Sequence, residues 1–183
     1  MTIRDAAAVI WGLARILRLD ANGFAAFRAD LAGFWQSFLA ALIVMPFFLL
    51  TLAVHMAEGG EERPVHYVLA QLIAYGVGWV LYPLLMVYIA DHLDRGGRYF
   101  AYMVPYNWFH VVQSAVLFPI PLIGLVNQDM AAFLVLMGLS AAMMYRWFIA
   151  SRTLQIDGMT AVALVAIDFL LSLLVSGIAY QIG

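Results

Sequence analysis

Lysine and cysteine are both missing from this chain. Without lysine there is no Schiff-base chemistry and no lysine-dependent phosphate loop, and without cysteine there are no disulfides, thiolate metal sites or cysteine-attached haem. Charge of either sign is scarce. Only 11% of the 183 residues are charged, whereas 66% are hydrophobic, against roughly 25% and 45–50% in an ordinary soluble domain. The missing motifs point the same way. The chain contains no G-x-S-x-G, no H-E-x-x-H and no phosphate-binding loop, so composition and motifs together argue against an enzyme.

What is present is apolar sequence in long runs, which makes the chain an all-α polytopic membrane protein. A span needs about 20 predominantly apolar residues, and the candidates are 31–55, 66–90, 99–125, 129–150 and 159–182. The connections are short and carry nearly all the charge, and each holds turn residues. With no linker and no internal repeat, residues 31–183 read as one five-span bundle preceded by a separate segment, 1–30.

Arginine placement orients it. Arg4, Arg15, Arg18, Arg28, Arg95, Arg98, Arg146 and Arg152 all fall on one side if every run crosses, leaving Arg63 alone on the other. That bias puts the N-terminus in the cytoplasm and the C-terminus outside, in a bacterial inner membrane. Trp35, Trp147, Tyr99 and Tyr102 lie near the inner ends, where an aromatic belt is expected.

The first thirty residues are apolar but interrupted by charge. On a helix, Ile3, Ala7, Ile10, Leu13 and Leu17 share one face, while Arg4, Arg15 and Arg18 gather with Trp11 on the other. Such a helix suits the inner leaflet, with arginines at anionic headgroups; docking onto the chain's own bundle is the other reading. Asn22 and Gly23 supply the turn that follows.

Within the spans, a few polar residues stand out. Counted from the inner ends at 1.5 Å per residue, His110 lies about 16 Å deep, close to the midplane, and Asp168 arrives at a similar level. Ser140 and Tyr75 fall near the same depth. A carboxylate facing lipid costs about 2.5–3.5 kcal/mol on insertion scales, so Asp168 should face protein. Thr160, Asp168, Ser172, Ser176 and Tyr180 recur at four-residue steps, while Asn107, His110 and Ser114 share a face of the third run with Gln113 beside them. The two stripes are expected to meet. One reading makes the cluster interhelical glue; the other makes Asp168 and His110 a proton-handling or substrate-coordinating pair.

Three kinds of secondary signal accompany these. Pro46, Pro83, Pro105 and the "FPIP" at 118–121 should kink or unwind three consecutive helices. Stripes of small residues, Ala70, Ala74 and Gly78 on the second run and Gly33, Ser37 and Ala41 on the first, should permit close helix approach. His55 and His66 bracket Glu58, Glu61 and Glu62, a ligand-type set without the spacing of any defined metal site. No metal, cofactor or nucleic-acid partner is expected.

In its pattern of spans, residues 31–182, the chain resembles the Ypt/Rab-interacting (Yip) family of five-span membrane proteins and its bacterial relatives. That family's Asp-Leu-Tyr-Gly-Pro and Gly-Tyr signatures have no counterpart here, so no residue role is carried over. The resemblance implies a non-catalytic part in membrane organisation, complex assembly or partner recruitment, with lipids and another membrane protein or a second copy as partners. The competing expectation is a small proton-coupled transporter or channel.

Overall fold

A computed structural model of the chain describes residues 2–58 and 65–182, and among them every regular element is helical. The helices are α1 (Ile3–Ile16), α2 (Leu31–Ser37), α3 (Leu39–Glu58), α4 (Val65–His92), α5 (Tyr99–Leu117), α6 (Pro119–Gly124), α7 (Gln128–Leu154) and α8 (Gly158–Ile182), with a 3-10 turn at Ala21–Ala26. Pro46, Pro83 and Pro105 all lie inside uninterrupted helices. The breaks fall elsewhere. One is at Phe38, between α2 and α3, and the other is at Phe118, where Pro119 cannot donate to the preceding turn and opens α6 instead.

The long helices α3, α4, α5, α7 and α8 pack together as a bundle. Polar and aromatic contacts pin their ends at the arginine-bearing side: Tyr99 donates to the Pro83 carbonyl at 3.0 Å, Arg98 to the Thr153 carbonyl at 3.4 Å, and the Trp147 indole to the Gly158 carbonyl at 3.0 Å. Among the described residues, four helical stretches are long and apolar enough to cross a membrane, Leu31–Met56 (α2 with α3), Val65–His92, Gln128–Leu154 and Gly158–Ile182. The third run is not among them. Its residues Tyr102–Phe109 are buried by the surrounding helices, including α2, α3 and α7, whereas Val116, Leu122 and Leu125 further along are exposed. By contrast no more than 22% of the most apolar stretch of each other pass is buried, which leaves long apolar faces turned outward.

The core lies towards the arginine-bearing end. Ile16, Met86, Ala90, Tyr102, Met103, Ile149 and Leu154 pack there almost without exposure. Towards the far end a cleft opens between α3, α4, α5, α7 and α8. Tyr102, expected in an interfacial belt, belongs instead to this core, because its hydroxyl pairs with that of Tyr82 at 2.7 Å.

The N-terminal helix is docked on the bundle. It buries Gly12, Leu13 and Ile16, not the whole face that periodicity picked out, and leaves Ile3, Ile10 and Leu17 exposed. Close approach of 21–27 dictates two glycines: a Cβ on Gly12 would come within 2.7 Å of the Phe27 ring, and one on Gly23 within 2.7 Å of the Gly12 carbonyl. The segment is fixed to α7 through the Tyr145 hydroxyl, which donates to the Leu17 carbonyl at 2.8 Å, and through Phe24 against Phe148. Arg15 pairs with Asp20 and lies over Trp11, whereas Arg4 and Arg18 remain exposed.

Candidate functional site

The polar groups at mid-bundle converge on a residue that sequence reading had placed at a helix end. Arg146 lies two turns before the end of α7 at Leu154, and its Nη1 makes an ion pair with the Asp168 carboxylate of α8. Its Nη2 reaches two groups on α5, the Gln113 carbonyl oxygen at 2.9 Å and His110 Nε2 at 3.2 Å. Tyr106 completes the set, donating its hydroxyl to the other Asp168 oxygen at 2.7 Å while its ring lies beneath the guanidinium at 5.4 Å.

These contacts fix protonation by complementarity. A guanidinium has donors and no acceptor, so His110 Nε2 must accept, and Nδ1, which faces the Tyr106 carbonyl at 3.1 Å, must carry the hydrogen. His110 is therefore neutral in this arrangement, and Arg146 with Asp168 leaves the cluster with no net charge. The same rule turns the Gln113 carbonyl towards Arg146. Its NH2 group is left with no hydrogen-bond partner among the described residues. One guanidinium donor, Arg146 Nε, is buried and unpaired.

Aromatic packing holds the cluster in place. The His110 ring lies 4.9 Å from both Trp79 and Tyr106, and Tyr82 lies 4.9 Å from Tyr106. A cleft of about 460 Å3 opens above, with Arg146, Asp168, His110 and Gln113 at its polar end and Phe48, Tyr75, Trp79, Met143 and Phe169 among its walls.

The residues singled out from sequence divide three ways. Asp168, His110 and Gln113 meet in the network, and Tyr75, Ser172 and Ser176 line the cleft. Asn107 does not join them. It turns instead to α2, where its Nδ2 donates to Ser37 Oγ at 2.8 Å, and Ser37 passes its own hydrogen to the Phe34 carbonyl. Ser114 takes no part, and Ser140 is exposed and bonds back to the Leu136 carbonyl of its own helix. Arg146 and Tyr106 were missed. Arg146 had been counted among charges flanking a span, although its place two turns inside α7 matches the depth of Asp168 in α8.

The small-residue stripes also serve other ends than helix packing. A Cβ on Gly78 would meet nothing within 4 Å, because Gly78 faces the cleft, and one on Gly33 would strike the backbone of Arg28, so that glycine serves a local turn. In the last turns of α3, His55 bonds to the Thr51 carbonyl of its own helix, and Glu61 and Glu62 lie outside the described residues.

No protein-family model, curated protein or solved structure matches this chain.

Proposed function

We propose that the chain is a non-catalytic multi-pass protein of a bacterial inner membrane, acting in membrane organisation, complex assembly or partner recruitment. The observation that carries this reading is the mutual pairing of the mid-bundle network: Arg146, Asp168, Tyr106, His110 and Gln113 bond to one another across α5, α7 and α8, with the Arg146 Nε and Gln113 amide donors left over. Such a network orients helices that lipid alone would not distinguish. No pair of groups in it is set up as a nucleophile with its base.

In this reading α5 is a fifth crossing, sheathed by the other helices, with the N-terminus inside. Seven of the arginines stay at the cytoplasmic side once Arg146 is assigned to the network. Arg4 and Arg18, with Ile3, Ile10 and Trp11, meet the inner leaflet beside the docked α1. The Yip-like pattern of spans supports the same role, and the broad apolar flanks of α3, α4, α7 and α8 give a membrane partner or a second copy a surface to meet. Purification under mild detergent tests this: a partner or a second copy should be retained by wild type and released by Asp168→Asn. A wild type that remains solitary and monomeric in native membrane extracts would count against it.

A second reading, proton-coupled transport, is favoured by one observation, that the cleft ends on Asp168 and His110. Transport requires pH-dependent flux in reconstituted vesicles that Asp168→Asn removes without loss of expression.

A further inference from the structure

We infer that the cleft between α3, α4, α5, α7 and α8 is a binding site for one uncharged, membrane-soluble molecule carrying a carbonyl oxygen, with that oxygen held by the Gln113 amide. This goes beyond the proposed function, which needs no ligand. Three features specify the occupant. At about 460 Å3 the cleft falls within the roughly 300–1,000 Å3 of small-molecule sites, and its walls are mainly aromatic and aliphatic, with Gln71, Ser172 and Ser176 as polar side chains away from the network. An apolar body is therefore required.

The polar end then selects the head. Gln113 has given its carbonyl to Arg146, so what it has to offer is two N–H donors, and its half-buried side chain lines the cleft. The ligand must accept. Charge balance excludes an anion as the preferred form, because Arg146 is already neutralised by Asp168 and His110 is neutral by its hydrogen bonds. A carboxylate added there would leave a net negative charge in an apolar surrounding, which is costly. An ester, ketone or quinone oxygen satisfies the donors at no such cost.

Gly78 supports the assignment from the other side. It lies on the cleft wall, its missing side chain meets nothing within 4 Å, and helix propensity disfavours glycine there, so the position keeps space open at a cost in helix stability.

The experiment uses three probes with the same chain: methyl dodecanoate, dodecanoate and dodecane. Each is added to the purified full-length protein in mild detergent at pH 8, with thermal stability and native mass spectrometry as readouts. The ester should raise Tm and give a one-to-one adduct, with weaker responses to the anion and the alkane. Gln113→Leu should weaken ester binding roughly fivefold, as expected for one neutral hydrogen bond, and Gly78→Phe should abolish it. The adduct mass identifies the natural source. Displacement of a co-purified phospholipid by the ester assigns the site to a lipid carbonyl, and addition without displacement to a free small molecule. The inference is overturned if dodecane or dodecanoate binds as well as the ester, or if Gly78→Phe keeps the full response. The ligand comparison on wild type decides the matter even if Gly78→Phe does not fold.

Discussion

Arg146 and Asp168 stand 22 positions apart on neighbouring helices, and each is what keeps the other from being an unpaired charge inside the bundle. Removing one partner of a buried pair typically costs about 3–5 kcal/mol, whereas replacing both with apolar groups is often neutral. Arg146→Met and Asp168→Leu, each of which strands a buried charge, are accordingly expected each to destabilise by about 3 kcal/mol or more, and Arg146→Met/Asp168→Leu to recover most of the loss. Unfolding measurements on the three variants form a double-mutant cycle. Additive losses would show that the pair contributes nothing as a pair. Asp168 and His110 were legible because ionisable residues are rare in apolar runs. Arg146 was not, since near the end of a run an arginine reads as a topology signal. Its depth was the available clue. Asn107 shows the complementary limit, because three-residue spacing sets two side chains about 60° apart, and on a helix contacted from several sides that gives them different neighbours, α2 for Asn107 and α7 for His110.

At the scale of the element, helix starts were the most readable feature, and the turn before α8 shows why. Asp157 caps that helix: its carboxylate accepts the Thr160 hydroxyl at 2.5 Å and the Thr160 and Met159 amides at 3.0 and 2.9 Å. These bonds, the Thr160 hydroxyl foremost, hold its carboxyl below the ordinary 3.8. A carboxyl depressed on folding stabilises the fold above its unfolded value and loses that contribution as pH falls through the folded one. Asp157→Ala should therefore lower Tm at pH 7, and the gap from wild type should close as pH drops below about 4; a gap unchanged at low pH would mean that the charge is irrelevant to the cap. The small-residue stripes misled for a physical reason. Small residues allow close approach but do not compel it, and Gly78 faces space. Gly78→Ala should raise stability by about 1 kcal/mol, measured as a Tm increase, since it improves helix propensity without a clash.

For the molecule as a whole, the alternation of apolar runs and charged turns made the long helices readable, but not which of them would be enclosed. Enclosure depends on helix order around the bundle, and short connections leave that order open. In hindsight the low apolarity of 99–117 carried the information: a helix with Asn107, His110, Gln113 and several tyrosines can occupy a bilayer only where other helices cover it. Whether α5 crosses follows from the two connections it joins. His92 precedes it and Gln128 opens α7, both exposed. In a chain without cysteine, His92→Cys, Gln128→Cys and Gln181→Cys are each a unique label site. An impermeant maleimide applied to intact cells stripped of their outer membrane should modify positions 128 and 181, and reach position 92 only after permeabilisation. If 92 and 128 instead respond from the same side, α5 enters and leaves one face, and the arginine bias loses its meaning as an orientation signal, because α7 and α8 would then run opposite to the sense it requires.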